Sequence, residues 1–276
     1  MQDHTTPDPA PSSPPAEPAH APAPIGDVLD LMVRVSHATM FRLTGPRPAE
    51  VGYVEVVAFA LHDRCHGLLG ATHLLLSQGF VHEAAIFGRP LFSASLTLAE
   101  LATSDATQRG SLLVGMSLDH LARHEEYLRA REDQGHDVAA DRERLAEARR
   151  GEEKFARELG FATKHRKPDD DLKGLAAKHG RSSEYSALLL THQFVHGATG
   201  VVLDRVGRDG DKAVVGGLVA RSKPWVRDFG LFASYSTLHS AAALHALLGS
   251  QRPPELNALM REVGMSTAAA RRRTPS

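Results

Sequence analysis

Apolar residues recur at helical spacing along almost the whole chain, and only one short stretch carries the residues of a strand. Residues 26–43 place Val28, Leu31, Met32, Val35, Met40 and Leu43 on one stripe. Residues 48–78 read as a long helix opening at Pro48, with Val54, Val57, Ala58, Leu61, Cys65, Leu68, Leu69, Leu75 and Leu76 as its apolar set. Gly79 follows as its C-terminal cap glycine. A helix over 80–103 contains Pro90, whose ring removes a backbone donor and predicts a kink. Further helices are expected at 107–131, 170–179, 183–206 (opened by Ser182-Ser183-Glu184), 224–248 and just after Pro253-Pro254. The segment GRDGDKAVVGGLV at 207–219 combines turn residues with a β-branched run and predicts a small hairpin or an irregular loop. The expected class is all-α: an antiparallel multi-helix bundle with a charged helical arm and at most one small hairpin.

Composition divides the chain. Residues 1–24 hold eight of the 16 prolines among Ala, Ser, Asp and Glu, and have almost nothing to bury. A disordered Pro/Ala-rich tail is expected there. Residues 265–276 end in Arg271-Arg272-Arg273 and read as a disordered basic tail, either solvated or touching an acidic group. Between them, 25–264 is expected to be a single helical domain. Within it, residues 121–170 carry 12 basic and 13 acidic side chains, the pattern of a solvated helical arm. The mixed signs argue against a phosphate-binding groove.

With 276 residues, 32 Lys plus Arg and 33 Asp plus Glu, the net charge is −1, too balanced for binding nucleic acid or anionic lipid by bulk charge. RNA stays a conceivable partner that net charge does not support. The single cysteine excludes an internal disulfide and fits a reducing compartment. No signal-peptide pattern and no membrane-length apolar run is present, so a soluble cytoplasmic protein with no membrane association is expected. Glycine-rich phosphate loops, a GxSxG elbow and paired Cys-x-x-Cys are all absent, and no cofactor is expected. Cys65 lies on an apolar stripe, where an inert thiol is the ordinary outcome.

Two features stand out. Among 16 histidines, three pairs fall four residues apart: His62/His66, His120/His124 and His192/His196. Such a pair shares a helix face. His62 and His66 facing His192 and His196 would suit a transition metal, and ordinary structural or surface histidines are the alternative. The second feature is a block on one helical hairpin: Arg64, then Gln78 to Ala84 with Glu83, then Arg89-Pro90-Leu91-Phe92. Glu83 and Arg89 are charges within apolar helix. They form either a structural bridge or, through the planar fork of Arg89, a clamp for phosphate or carboxylate.

The block LLLSQGFVHEAAIFGRPLF resembles the bacterial family catalogued as domain of unknown function 5677: a long helix, a glycine turn, an acidic-alanine pair, then Arg before a second helix. A later family helix carries a Tyr and ends near His-Gly or His-Pro, matched by Tyr185 and THQFVHGAT with His196-Gly197. The resemblance covers roughly 50–205. Ser93 stands where the family commonly has Glu, and His192 where it often has Ser. The resemblance implies an all-α fold similar to HEPN-type bundles, which often act in conflict and stress systems and include metal-independent ribonucleases using Arg-x(4–6)-His. Arg131 to His136 fits that expression, but Gly135 breaks the helix between them.

Two functions follow as expectations. One is a non-catalytic binding or regulatory module, taking a protein partner or small ligand and acting as a homodimer. The other is a HEPN-like ribonuclease in which Arg89 holds a phosphate, His196 is general acid or base, Tyr185 orients it, and Glu83 holds either in place. Arg64 and His192 complete the candidate ligand-binding set.

Overall fold

In the computed structural model the described residues are 25–40, 52–161, 171–195, 206–209, 212–215 and 223–263. The expected tails at 1–24 and 265–276, and the helix start at Pro48, lie outside them. Of the apolar stripe expected over 26–43, Leu43 lies outside the described residues and Met40, just past the end of the first helix, is exposed, whereas Val28, Leu31, Met32 and Val35 are buried on that helix, α1 (Ile25–Thr39). They pack on α9 (Lys223–Leu247), which also lies against α2 (Tyr53–Ser77) and α4 (Gly88–Thr103). The central helix is thus contributed late in the chain. Its buried face carries Phe229, Phe232, Ala233, Leu238, Ala241 and Leu244. Gly230 lets α1 approach, since a Cβ there would sit 3.0 Å from Val28 Cγ1. The last helix, α10 (Pro254–Glu262), starts on a proline at N1 and closes over α1, with Arg34 in a two-pronged pair to Glu262 at 2.6 and 2.8 Å.

The all-α helical bundle expected from periodicity is what forms. Gly79 follows α2 at φ 84°, and the Phe80 N–H reaches back to the Leu75 carbonyl, closing the helix end as a glycine there predicts. The kinked helix over 80–103 is a correction. The segment is two helices, α3 (Val81–Ala85) and α4, interrupted at Ile86–Phe87. Pro90 falls in the first turn of α4, where its missing N–H would have had no intrahelical partner. The proline therefore sets a helix start instead of bending a helix interior. The stretch at 207–219 supplies a hairpin: β1 (Val206–Asp209) pairs antiparallel with β2 (Lys212–Val215), Val206 opposite Val215 and Asp209 opposite Lys212.

The charged middle forms α5 (Ala106–Asp133) and α6 (Ala139–Glu158), packed on each other. Asp105 and Gln108 form a reciprocal capping box at the start of α5. Its first half is buried at Leu112, Leu113 and Val114, and its second half buries only Leu128. On α6 only Ala156 is buried. Gly135, at φ 83°, ends α5 as expected and leaves Arg131 and His136 on either side of the break. Surface pairs such as Arg142–Glu132 at 2.8 Å and Arg149–Glu125 at 3.5 Å decorate this arm and add little each. An apolar cleft of about 670 Å³ opens where the arm meets the start of α2, between Tyr53, Leu113, Phe155 and Phe161.

Candidate functional site

A short helix positions the most buried charge among the described residues. α7 (Leu172–Lys178) is closed by Gly180 at φ 69°, and the Arg181 N–H returns to the Ala176 carbonyl at 2.7 Å. The Arg181 carbonyl then accepts from Tyr185 N–H as the first turn of α8 (Ser182–Val195) begins. Arg181 is therefore fixed by two helix ends at once, and its side chain runs inward to 2% exposure.

There the guanidinium is almost saturated. Nε donates to Glu184 Oε1 at 2.9 Å, and Nη2 donates to Glu184 Oε2 and, at 3.2 Å, to Ser236 Oγ. Nη1 donates to Ser95 Oγ at 2.7 Å, and the Ser95 hydroxyl in turn donates a hydrogen bond to the Ser236 carbonyl. The cationic carbon lies 4.7 Å from the centre of the Phe92 ring. The cluster joins α4, α8 and α9, which are distant in sequence. His239 of α9 donates from Nε2 to Glu184 Oε1 at 3.3 Å, with its side chain 31% exposed, so the cluster reaches solvent through this ring.

Electrostatics follow from this packing. Burial pushes the Glu184 carboxyl up, but the Arg181 charge and the hydrogen bonds from His239 and Arg181 outweigh it and hold its pKa at about 2. Burial pulls His239 below its ordinary value despite Glu184. A second, smaller cluster sits beside it: Glu100 of α4 accepts from Lys178 Nζ at 2.6 Å and His179 Nε2 at 2.9 Å, anchoring the end of α7. Burial lowers the His179 pKa in the same way.

The residues expected from sequence are distributed differently. Arg89 is the second residue of α4 and is exposed, so the guanidinium embedded in the apolar interior is Arg181, not Arg89. The physical reason is its side of the helix: Arg89 lies on the solvent side of the first turn of α4, whose other side buries Gly88, Leu91 and Phe92. Glu83, on α3, is half-buried, and Arg64, on α2, is exposed. Tyr185 packs against the cluster of Phe92, Leu96, Leu172 and Phe232. His192 belongs to α8, and His196 lies outside the described residues. His62 and His66 do not converge on a common point. His62 Nε2 donates to the Thr39 carbonyl at 2.8 Å, and His66 Nε2 lies 3.0 Å from the Ser36 carbonyl. A carbonyl only accepts, so His62 Nε2 carries its proton; His66 Nε2 is also 3.0 Å from Ser36 Oγ, and both rings face α1. His62 Nδ1 faces Ser240 Oγ at 3.0 Å, and burial lowers the His62 pKa, keeping the ring neutral. Among the described residues no group of three His, Cys, Asp or Glu could hold a metal. No described helix is long and apolar enough to cross a membrane.

Cys65 is fully buried near the Leu91 carbonyl, and burial pushes its thiol up to about 12. It is expected to resist iodoacetamide at pH 8 in the folded chain and to react at once in urea; modification at native conditions would show the inert reading wrong.

Sequence reasoning missed Arg181, Ser95, Ser236 and His239. Two signals were present. Arg181 and Glu184 are three residues apart across a helix start. Ser234, Ser236, Thr237 and Ser240 interrupt an otherwise apolar helix, and all four are fully buried.

Above the carboxylate lies a pocket of about 260 Å³ between α8 and α9. Trp225, Phe229, Phe232 and Tyr235 wall it, with Glu184 and Asp228 as its charged members among the described residues. No protein-family model, no curated protein and no solved structure matches the chain, so the likeness to domain of unknown function 5677 is carried by the quoted residues alone.

Proposed function

We propose that this chain is an intracellular binding or regulatory module whose receiving site is the pocket between α8 and α9. One observation carries this reading. The buried guanidinium that a phosphate-handling enzyme would need free has four of its five N–H groups committed to Glu184, Ser95 and Ser236. A phosphate would have to displace a carboxylate held at two points. The hydroxyls of the cluster serve Arg181, so they are not poised as nucleophiles for the Glu184–His239 pair. What is left open is a small, mostly apolar pocket, the form of a ligand site. Membership of a bacterial stress or defence system is what the family resemblance adds, and a homodimer is compatible with the same role.

The competing ribonuclease uses Arg89 and His196. Mixed RNA incubated with the full chain in chelator separates the two. We expect no cleavage above buffer. Cleavage that both Arg89→Ala and His196→Ala abolish would overturn the binding reading.

A further inference from the structure

The pocket's chemistry specifies its guest more narrowly. Resting on the reading of the chain as a binding module, we infer that the pocket takes a small organic cation: an ammonium group on an aromatic or short aliphatic body. Among the described residues, the charged side chains lining it are both acidic, Glu184 and Asp228. Arg181 balances Glu184 from within the core and Arg227 stands beside Asp228, but neither is among the described lining residues, so an anionic guest would meet two carboxylates first.

Glu184 is prepared for such a guest. A carboxylate offers about four acceptor positions. Three are taken: Oε1 accepts from Arg181 Nε and His239 Nε2, and Oε2 accepts from Arg181 Nη2. Among the described residues nothing else donates to Oε2, which leaves one position for an ammonium N–H. The cluster keeps the group ionised and immobile, so little rotamer freedom is lost on binding. A neutral apolar guest would strip water from that position and return nothing; an ammonium replaces the water with a charge-assisted hydrogen bond.

The walls fit the rest of the molecule. Trp225 and Phe229 stack with ring centres 5.9 Å apart and 25° between planes, and Phe232, Leu231 and Tyr235 continue the surface. Indole is the strongest common partner for a cation over its face. Asp228 is 53% exposed at the margin, 3.6 Å from Arg227 Nε, and adds negative potential at the entrance. At about 260 Å³ the cavity lies just below the span of ordinary small-ligand pockets, so one ring or a short chain fills it.

The test has a built-in reporter, because Trp225 is the only tryptophan of the chain. The full chain is titrated at pH 7.5 with 2-phenylethylamine and hexylamine, and with the neutral and anionic counterparts 2-phenylethanol and 3-phenylpropanoate. Trp225 emission is followed, with calorimetry alongside. We expect saturable binding of an amine, about tenfold weaker binding of the alcohol, and none of the acid. Asp228→Asn, at an exposed position, weakens the amine several-fold and leaves the alcohol unchanged. Glu184→Gln weakens the amine further; should that variant fail to fold, Asp228→Asn and the ligand series decide. Alcohol bound as tightly as amine, or amine binding indifferent to Asp228→Asn, overturns the cation while leaving a binding module in place. No saturable response to either amine also overturns it, and the RNA experiment judges the module reading separately.

Discussion

Arg181→Ala is expected to cost about 3–5 kcal/mol of folding stability, because it leaves Glu184 ionised with its side chain only 13% exposed and without its main partner. Ser95 and Ser236 lose the donor that orients them in the same step. A domain of this kind holds about 5–15 kcal/mol in total, so the variant should sit near the edge of folding at 37 °C. The measurement is a urea midpoint, with an unchanged slope showing that the folded and unfolded end states are the same. Arg89→Ala is the matched comparison. That guanidinium is exposed, and its removal should fall within about 0.5 kcal/mol of the parent. Pairing Arg181→Met with Glu184→Gln should recover part of the loss, since the cost lies in the uncompensated charge and not in the missing contact. Equal midpoints for Arg181→Ala and Arg89→Ala would remove the buried cluster from any account of this fold.

The second large effect is acid lability. Glu184 has a folded-state pKa of about 2 against an ordinary 4.5, a depressed carboxylate. Its contribution is fully present above 4.5 and is lost as pH falls through 4.5 toward 2, about 3 kcal/mol in all. Glu100 is lowered too, by its bonds from Lys178 and His179 working against burial, and acts in the same direction. The buried histidines begin the loss earlier. His62, His179 and His239 are each pulled below 6.5, chiefly by burial, so the unfolded chain takes up protons before the folded one does. Stability therefore declines from about pH 6.5 downward and steepens below 4.5. Urea midpoints at pH 7.5, 5.5, 4 and 3 read this directly, and Glu184→Gln should flatten the segment below 4.5. A midpoint that held constant or rose between pH 6.5 and 3 would contradict the electrostatics described for all five groups.

How far the chain could be read in advance depended on the range of the force involved. The stripe Val28, Leu31, Met32, Val35 announced α1 because helical periodicity is local. Gly79 and Gly135 marked helix ends because a positive φ is most easily met by glycine, and both adopt one. Turn residues beside β-branched ones left a small hairpin or an irregular loop open at 207–219, and strand pairing between 206–209 and 212–215 decided for the hairpin. Pro90 was harder. Its effect depends on whether the chain is already helical upstream, and the answer lay at Ile86–Phe87, where α3 ends. Its neighbour Arg89 seemed embedded because the residues around it are apolar, yet it lies on the solvent side of the turn that starts α4.

Local spacing and backbone chemistry thus sufficed for the helical class, most helix ends and the exposed nature of the arm, but not for helix number, since the segment 80–103 divides into α3 and α4. They said nothing of which charge would be swallowed. Arg181 is flanked by Gly180 and Ser182 and carries no apolar pattern; it is buried because the end of α7 and the start of α8 aim it at Ser95, Ser236 and Phe92, residues tens of positions away. Burial of a cation is tolerable only where partners from separate elements arrive together, and that meeting is a property of packing in three dimensions, beyond the reach of any window along the chain.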